Sequence, residues 1–207
     1  MTLQAALDEF EDRAKQCASL IANAHKEDGN KMPLLPALDR RQITVAAFLN
    51  LYIAWESFIE DALTKLMSGS ATISGAQPTR YVSPPTQDAA KNMVIGINRY
   101  FDYANHDNVR KTINMYFDGG YPFEPHLSAI ATDLGDLRTM RNSSAHITTT
   151  TQKALEALAQ RIFSTPQPGI DLYQLLTATH PSSGSNATVF EEAKSKLLTV
   201  AALIAHG

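Results

Sequence analysis

Apolar residues recur at steps of three and four along most of this chain, which is the spacing of amphipathic α-helices. The first stripe consists of Leu3, Leu7, Phe10, Ala14, Cys17, Ile21 and Ala24. Charged and polar residues fill most positions between them. The segment 28–36, which contains Gly29, Pro33 and Pro36, interrupts the pattern. The pattern therefore predicts a first helix that buries one face and ends before this segment.

A second helix is predicted from about Arg40 to Met67, and its apolar stripe is wider than that of the first. The apolar positions are Ile43, Ala47, Phe48, Leu51, Tyr52, Trp55, Phe58, Ile59, Ala62 and Leu66. A helix with so broad an apolar face contacts more than one neighbouring element. We therefore expect this helix at the centre of a helical bundle.

The rest of the chain repeats the helical pattern between turn-forming residues. Helices are predicted at about 86–103, 109–117, 124–140, 153–163 and 188–206, with a short apolar piece at 170–176. Thr86 followed by Asp88 is typical of a helix start. Alternation of apolar and polar residues is nowhere long enough to predict a strand. The sequence predicts an all-α fold: a bundle with a four- or five-helix core, helical insertions at 105–122 and 165–187, and a C-terminal helical extension.

Composition limits the class of protein. The 207 residues, 44% of them hydrophobic, are enough for one sizeable core, so we expect a single domain over residues 1–207. The net charge of −3 is not the balance of a protein that holds nucleic acid over a broad surface. Any contact with RNA is therefore expected at a local basic site or through a partner.

The cysteine and histidine patterns predict neither a disulfide nor a metal site. Cys17 is the only cysteine and has an apolar helical setting, so we expect a buried small hydrophobe and not a nucleophile. His106 and Asp107 lack a second ligand pair at metal-binding spacing, which favours a loop cap. The N-terminal stretch is acidic and amphipathic, and the apolar stretches 43–55 and 197–205 are too short to span a bilayer. We expect a cytoplasmic protein without a membrane contact.

The hexapeptide 141–146, with the sequence RNSSAH, combines the groups that RNA cleavage requires. RNA carries its own nucleophile, the 2′-hydroxyl, so neither a metal nor a catalytic serine is needed. His146 is suited to move protons near neutral pH. Arg141 is suited to stabilise the charge that builds on the phosphate, and Asn142 can orient the phosphate or the imidazole. Ser143 is an auxiliary candidate.

The spacing within the hexapeptide restricts how its side chains can meet. On a straight α-helix Arg141 and His146 point about 140° apart. Both reach one phosphate only if the segment is bent, if it lies at a helix terminus, or if a second copy of the chain contributes. Ser143, Ser144 and the threonine run 148–151 favour a local break. The bare pattern is also typical of a solvated arginine and a surface histidine.

Two segments resemble the HEPN superfamily (higher eukaryotes and prokaryotes nucleotide-binding). The hexapeptide resembles the RNxxxH form of its Rx4–6H signature. Residues 51–60, with the sequence LYIAWESFIE, are similar to an early-helix segment of bacterial HEPN families. Those families are linked to toxin–antitoxin and phage-defence loci and include the RiboL-PSP-HEPN type. The resemblance covers a core at about 40–165.

The resemblance implies a helical bundle that forms a homodimer, with the motifs of two chains facing each other. By this resemblance Arg141 stabilises the scissile phosphate, His146 acts as general acid or base, and Asn142 orients the site. Glu56 matches a polar residue that lies near the motif in related proteins, although a plain helix-surface acid fits its position as well. Trp55 is expected in core or dimer packing, in preference to base stacking.

Two hypotheses about function follow. The first is a metal-independent, cofactor-free endoribonuclease, acting as a toxin or phage-defence effector, that cleaves RNA by transesterification at a dimer interface. The alternative is a non-catalytic HEPN-like dimerisation or nucleotide-binding scaffold, partnered with a nucleotidyltransferase-like antitoxin. The intact Arg141, Asn142 and His146 favour the first, and the mild acidity favours the second. The expected partners are RNA, a second copy of the chain and an antitoxin protein.

Overall fold

The computed structural model describes residues 2–145, 148–184 and 186–207, and in these ranges the protein is all-helical without strands. Helix accounts for 66% of the residues, so the predicted all-α class is confirmed. The α-helices of the described ranges are α1 (Gln4–Ala24), α2 (Ala37–Met67), α3 (Gln87–Ile95), α4 (His106–Tyr116), α5 (Glu124–Ala129), α6 (Ala131–Ala145), α7 (Thr149–Phe163), α8 (Leu172–Thr177) and α9 (Val189–His206). A 3-10 turn, Asp118–Gly120, follows α4.

Helix α3 begins where the sequence predicts and ends earlier. Thr86 is its N-cap, and the threonine side chain accepts a hydrogen bond from the Ala89 N–H at 3.1 Å. The helix ends at Ile95 and not at about residue 103, because Gly96 adopts φ +60° and its N–H closes the last turn on Asn92. Glycine reaches this backbone region without a steric penalty, which makes it a common helix terminator.

Two other predicted helices also differ in extent from those of the structure. The single helix predicted at 124–140 is two helices, α5 and α6, separated at Ile130. The threonine run belongs to the start of α7, four residues before the predicted start. There Thr148 accepts a hydrogen bond from the Thr151 N–H at 3.2 Å, and the Thr151 hydroxyl accepts one from the Thr148 N–H at 3.0 Å. This reciprocal capping box satisfies backbone donors that a helix start leaves open.

The chain divides into two compact units, each made of separate segments. Unit 1 comprises Met1–Glu11, Ala54–Leu134 and Leu197–Gly207. Unit 2 comprises Asp12–Ile53 and Gly135–Lys196. The expectation of one domain with a core at 40–165 stays a prediction.

The core of unit 1 contains the only tryptophan of the chain. Trp55 is 3% exposed, and its ring centroid lies 5.9 Å from that of Phe10 and 6.0 Å from that of Phe58. Aromatic rings at these separations attract one another beyond the burial of their area. The predicted packing role of Trp55 is confirmed, because a ring so buried offers no face to a nucleobase.

Unit 2 buries the only cysteine. Cys17 is 4% exposed and free, and burial raises the pKa of its thiol. A raised thiol pKa lowers the thiolate fraction and with it the reactivity. This confirms the predicted role as a buried small hydrophobe. Nearby in the same unit, His25 Nε2 lies 3.1 Å from the Thr44 hydroxyl and its ring stacks on Tyr173.

Among the described residues, one helix has the length and the apolar composition that crossing a membrane requires, and this helix is α2. The apolar stretch 43–55 by itself is too short to span a bilayer, but the helix that contains it has 31 residues. Half of its most apolar window is buried inside the protein.

Candidate functional site

The predicted motif lies at the C-terminal end of α6, in unit 2. Arg141 to Ala145 form the last turn of this helix. Arg141 is exposed, and Asn142 and Ser143 are half-buried. His146 lies outside the described residues. The terminus of α6 therefore coincides with the motif, which is one of the arrangements that its spacing allows.

The two serines of the motif continue the helix. The Ser143 hydroxyl donates to the Met140 carbonyl, and the Ser144 hydroxyl donates to the Arg141 carbonyl, each at 2.7 Å. A helix end leaves its last carbonyls without intrahelical partners, and these hydroxyls bond to two carbonyls in that region. The expected break is therefore not at the serines, since the backbone stays helical to Ala145.

Arg141 presents a guanidinium without a carboxylate partner among the described residues. Its Nη1 donates to Asn142 Oδ1 over a long 3.4 Å, and the rest of its five N–H donors form no hydrogen bond to the residues that the structure describes. Other arginines of the described ranges are neutralised by carboxylates: Arg41 by Asp171, Arg110 by Glu124, and Arg161 by Asp136. A planar, exposed and unpaired guanidinium is suited to bind a phosphate in a bidentate manner.

A groove of about 450 Å³ lies beside the motif within unit 2. Ser143 and Ser144 line one side of it. Val45 and Leu49 of α2 and Leu155 of α7 contribute apolar walls. A concave, mostly apolar site of this volume with a few polar groups is typical of small-ligand binding in proteins.

The rim of this groove carries an ion pair and an aromatic ring. Arg41 Nη1 lies 3.0 Å from Asp171 Oδ2, and Tyr173 follows at the start of α8. The exposed Gln42 side chain also lines the groove. The sequence does not single out any of these residues, because Arg41 and Asp171 are 130 positions apart and only packing brings them together. The one local signal is the N-cap position of Asp171 before α8.

Glu56, the auxiliary candidate of the early helix, lies on the part of α2 that belongs to unit 1. Its side chain is half-buried and takes part in an interaction of its own. The motif lies in unit 2. The role of Glu56 beside the motif stays a prediction.

His106 and Asp107, which were considered as metal ligands, form the start of α4. Asn105 caps α4 by accepting a hydrogen bond from the Asn108 N–H at 3.3 Å, and His106 Nε2 lies 3.6 Å from Asp107 Oδ1. The interpretation of this segment as a cap is therefore confirmed. In the part of the chain that the structure describes, no three His, Cys, Asp or Glu side chains cluster as a metal site would require.

Comparison with protein-family models, with curated proteins and with solved structures returns no match. The resemblance to HEPN families consequently depends on the two sequence motifs alone. The functional argument depends on the chemistry of Arg141, Asn142 and their surroundings.

Proposed function

We propose that this protein is a metal-independent endoribonuclease of HEPN type, acting as a toxin or phage-defence effector on RNA. The observation that supports the proposal is the exposed guanidinium of Arg141, unpaired with any described carboxylate and adjacent to the Asn142 amide. His146 follows five residues later in the sequence. A fixed cation and a histidine are the two groups that phosphate transesterification requires most.

The proposed reaction uses the nucleophile of the substrate. The 2′-oxygen attacks the adjacent phosphorus and gives up its proton to a general base, while the bond to the 5′-oxygen breaks. That leaving oxygen takes a proton from a general acid, so the products are a 2′,3′-cyclic phosphate and a 5′-hydroxyl. His146 would carry the proton transfers, from one or both copies of a homodimer. Arg141 would bind the non-bridging oxygens, whose charge grows in the transition state.

The groove beside the motif would hold a nucleotide that flanks the scissile phosphate. Its aliphatic walls suit the faces of a nucleobase, and Gln42 and the serine hydroxyls suit its polar edge. Because Ser144 lies three residues after Arg141 on the same helix, a base in the groove would place its phosphate close to Arg141. This arrangement would fix the substrate before the reaction.

The test is cleavage of fluorescently labelled single-stranded RNA by purified protein in EDTA. We expect products with cyclic phosphate ends, and no cleavage of the same sequence made with 2′-O-methyl ribose. His146→Ala and Arg141→Ala should each lower the rate by about 100-fold or more. His206→Ala and Arg13→Ala, which change exposed residues of the same types elsewhere, should cleave like the unmodified protein.

Two results would contradict this function. Equal cleavage by all variants would identify a contaminating nuclease, and cleavage only after Mg²⁺ is added would rule out the proposed mechanism. Absence of cleavage by a folded protein would favour the non-catalytic scaffold with an antitoxin partner.

A further inference from the structure

A second surface, in unit 1, combines an exposed aromatic ring with two cations that form no ion pair among the described residues. It consists of Asn98, Arg99 and Tyr100 in the loop before α4, and of Lys111 and Met115 on α4, and we call it the α4 surface. Tyr100 is 72% exposed and Met115 is 61% exposed. Large apolar side chains that remain this exposed in one patch are typical of interaction sites.

Two open hollows adjoin on this surface. The first, of about 450 Å³, is lined by Asn98, Arg99 and Tyr100 among others, and the second, of about 600 Å³, includes Met115. Lys111 lines both hollows. Because Lys111 lines both hollows, a ligand that occupies both would pass this cation. An extended polymer with successive phosphates fits this arrangement better than a single small ligand does.

The loop that carries Tyr100 is held in place by its own contacts. The Ala104 N–H donates to Asp102 Oδ1 at 3.1 Å, and the rings of Phe101 and Tyr103 pack edge to face with centroids 4.8 Å apart. At its start, the Asn98 side chain donates to the Ile95 carbonyl at 3.3 Å. A platform that is ordered before binding loses less conformational entropy when a ligand arrives.

The hollows of the α4 surface contain the carboxylates of Asp102 and Asp107 beside the cations Arg99 and Lys111. Arg99 and Lys111 form no ion pair within the described residues. By contrast, Asp102 accepts the Ala104 N–H, and Asp107 lies 3.6 Å from His106 Nε2. Because Asp102 and Asp107 offset the charge of Arg99 and Lys111 on this surface, an anionic ligand would be bound by direct contact with these two cations and not by an excess of positive charge.

We propose that the α4 surface binds single-stranded nucleic acid, with Tyr100 stacking on a base and Arg99 and Lys111 on backbone phosphates. Aromatic rings beside cations are the usual platform for single strands, because every base has a face that can stack. The choice of RNA as the ligand rests on the proposed ribonuclease function. The α4 surface belongs to unit 1, whereas Arg141 and Asn142 belong to unit 2.

The test measures the binding of a fluorescein-labelled, single-stranded 2′-O-methyl oligonucleotide to the full-length protein by fluorescence anisotropy. This ligand lacks the nucleophilic hydroxyl, so binding is measured whether or not the protein cleaves RNA. Tyr100→Ala should weaken binding about 5- to 100-fold, and Tyr100→Phe should bind like the unmodified protein. Lys111→Ala and Arg99→Ala should each flatten the salt dependence of log K by about 0.7.

Matched controls separate this site from a general loss of charge or of aromatic surface. Tyr81→Ala removes a tyrosine of similar exposure in the same unit, and Lys15→Ala removes an exposed cation of unit 2. Neither control should change the affinity by more than about twofold.

The outcomes distinguish the two proposals. Equal affinity of Tyr100→Ala and the unmodified protein, or no binding at all, overturns the nucleic-acid site and leaves the α4 surface to a protein partner. Binding lost in these variants without any RNA cleavage supports the site and contradicts the ribonuclease. Cleavage with unchanged oligonucleotide binding supports the ribonuclease alone.

Discussion

Glu124 links α5 to α4 through a set of hydrogen bonds in unit 1. Arg110 Nε donates to both carboxylate oxygens at 3.1 Å, and Asn114 Nδ2 donates to one of them at 3.1 Å. The hydrogen bonds from Arg110 are the main reason why the pKa of Glu124 lies below its usual range. The hydrogen bond from Asn114 also lowers this pKa. Gly120 packs against this group so closely that a Cβ there would lie 2.7 Å from the Glu124 Cβ.

We predict that the Glu124 carboxylate makes the protein less stable in acid. Its folded-state pKa lies below the unfolded value of about 4.3, so its stabilising contribution is complete above that value and is lost as the pH falls through the folded pKa. Glu124→Gln should lower the free energy of unfolding by about 1 kcal/mol at neutral pH, since the pair is partly screened by solvent. Urea unfolding should find this difference smaller near pH 3.

The comparison needs a control for the background of other carboxylates. Glu11→Gln, at an exposed position of α1, should leave the free energy of unfolding unchanged within about 0.5 kcal/mol at neutral pH. A difference between Glu124→Gln and the unmodified protein that stays constant from neutral pH to acid would contradict the proposed role of the carboxylate charge.

Helix α7 begins three residues after the end of the motif, and its start depends on local hydrogen bonds. From the sequence alone, the threonine run predicts a break in the helical pattern. The structure uses the same residues as a capping box, in which Thr148 and Thr151 exchange bonds. The hydroxyl of a threonine can either compete with a helix or start one, depending on its position relative to the first turn.

We predict that Thr148→Ala lowers the free energy of unfolding by about 1 kcal/mol, because the Thr151 N–H loses its acceptor at the helix start. Thr149→Ala, which changes the neighbouring exposed threonine outside the box, should stay within about 0.5 kcal/mol of the unmodified protein. Chemical denaturation monitored by circular dichroism measures both. Equal losses in the two variants would show that the box contributes nothing specific.

At the scale of the whole molecule, the motif allows a site within one chain, at the end of α6, or a site shared by two chains, and we propose the shared site. On a straight helix Arg141 and His146 would point about 140° apart, and α6 is helical up to Ala145. A two-fold axis beside the motif would let the arginine of one chain act with the histidine of the other.

We predict that inactive variants restore activity to each other. In a dimer with sites shared in this way, mixing Arg141→Ala and His146→Ala chains gives mixed dimers with one complete site. With random exchange, half of the dimers are mixed and half of their sites are complete, so about a quarter of the unmodified activity should return. RNA cleavage after co-refolding measures this. A mixture as inactive as its components would contradict a site in which the arginine of one chain acts with the histidine of the other.

The oligomeric state is checked beside that experiment. Analytical ultracentrifugation of the unmodified protein should give a mass twice the chain mass of 22.6 kDa. A monomer at concentrations where RNA is cleaved would contradict the shared site.

The sequence by itself determined the all-helical class, the approximate place of most helices and which of their faces are buried. The spacing of Leu3, Phe10 and Cys17 predicts a buried face, and all three are at most 4% exposed. Thr86 predicts a helix start, and the breadth of the apolar stripe predicts the burial of Trp55. These features depend on neighbours within one or two helical turns, which the linear pattern contains.

Only the tertiary structure decided which polar groups remain available. The ion pair of Arg41 with Asp171 joins residues 130 positions apart, whereas Arg141 has no carboxylate partner among the described residues. Likewise the Gly96 turn ended α3 early and exposed Tyr100 in a loop, where the sequence predicts a helix. The reason is physical: periodicity reports that a face is buried, whereas the partner of a charge depends on which elements pack together.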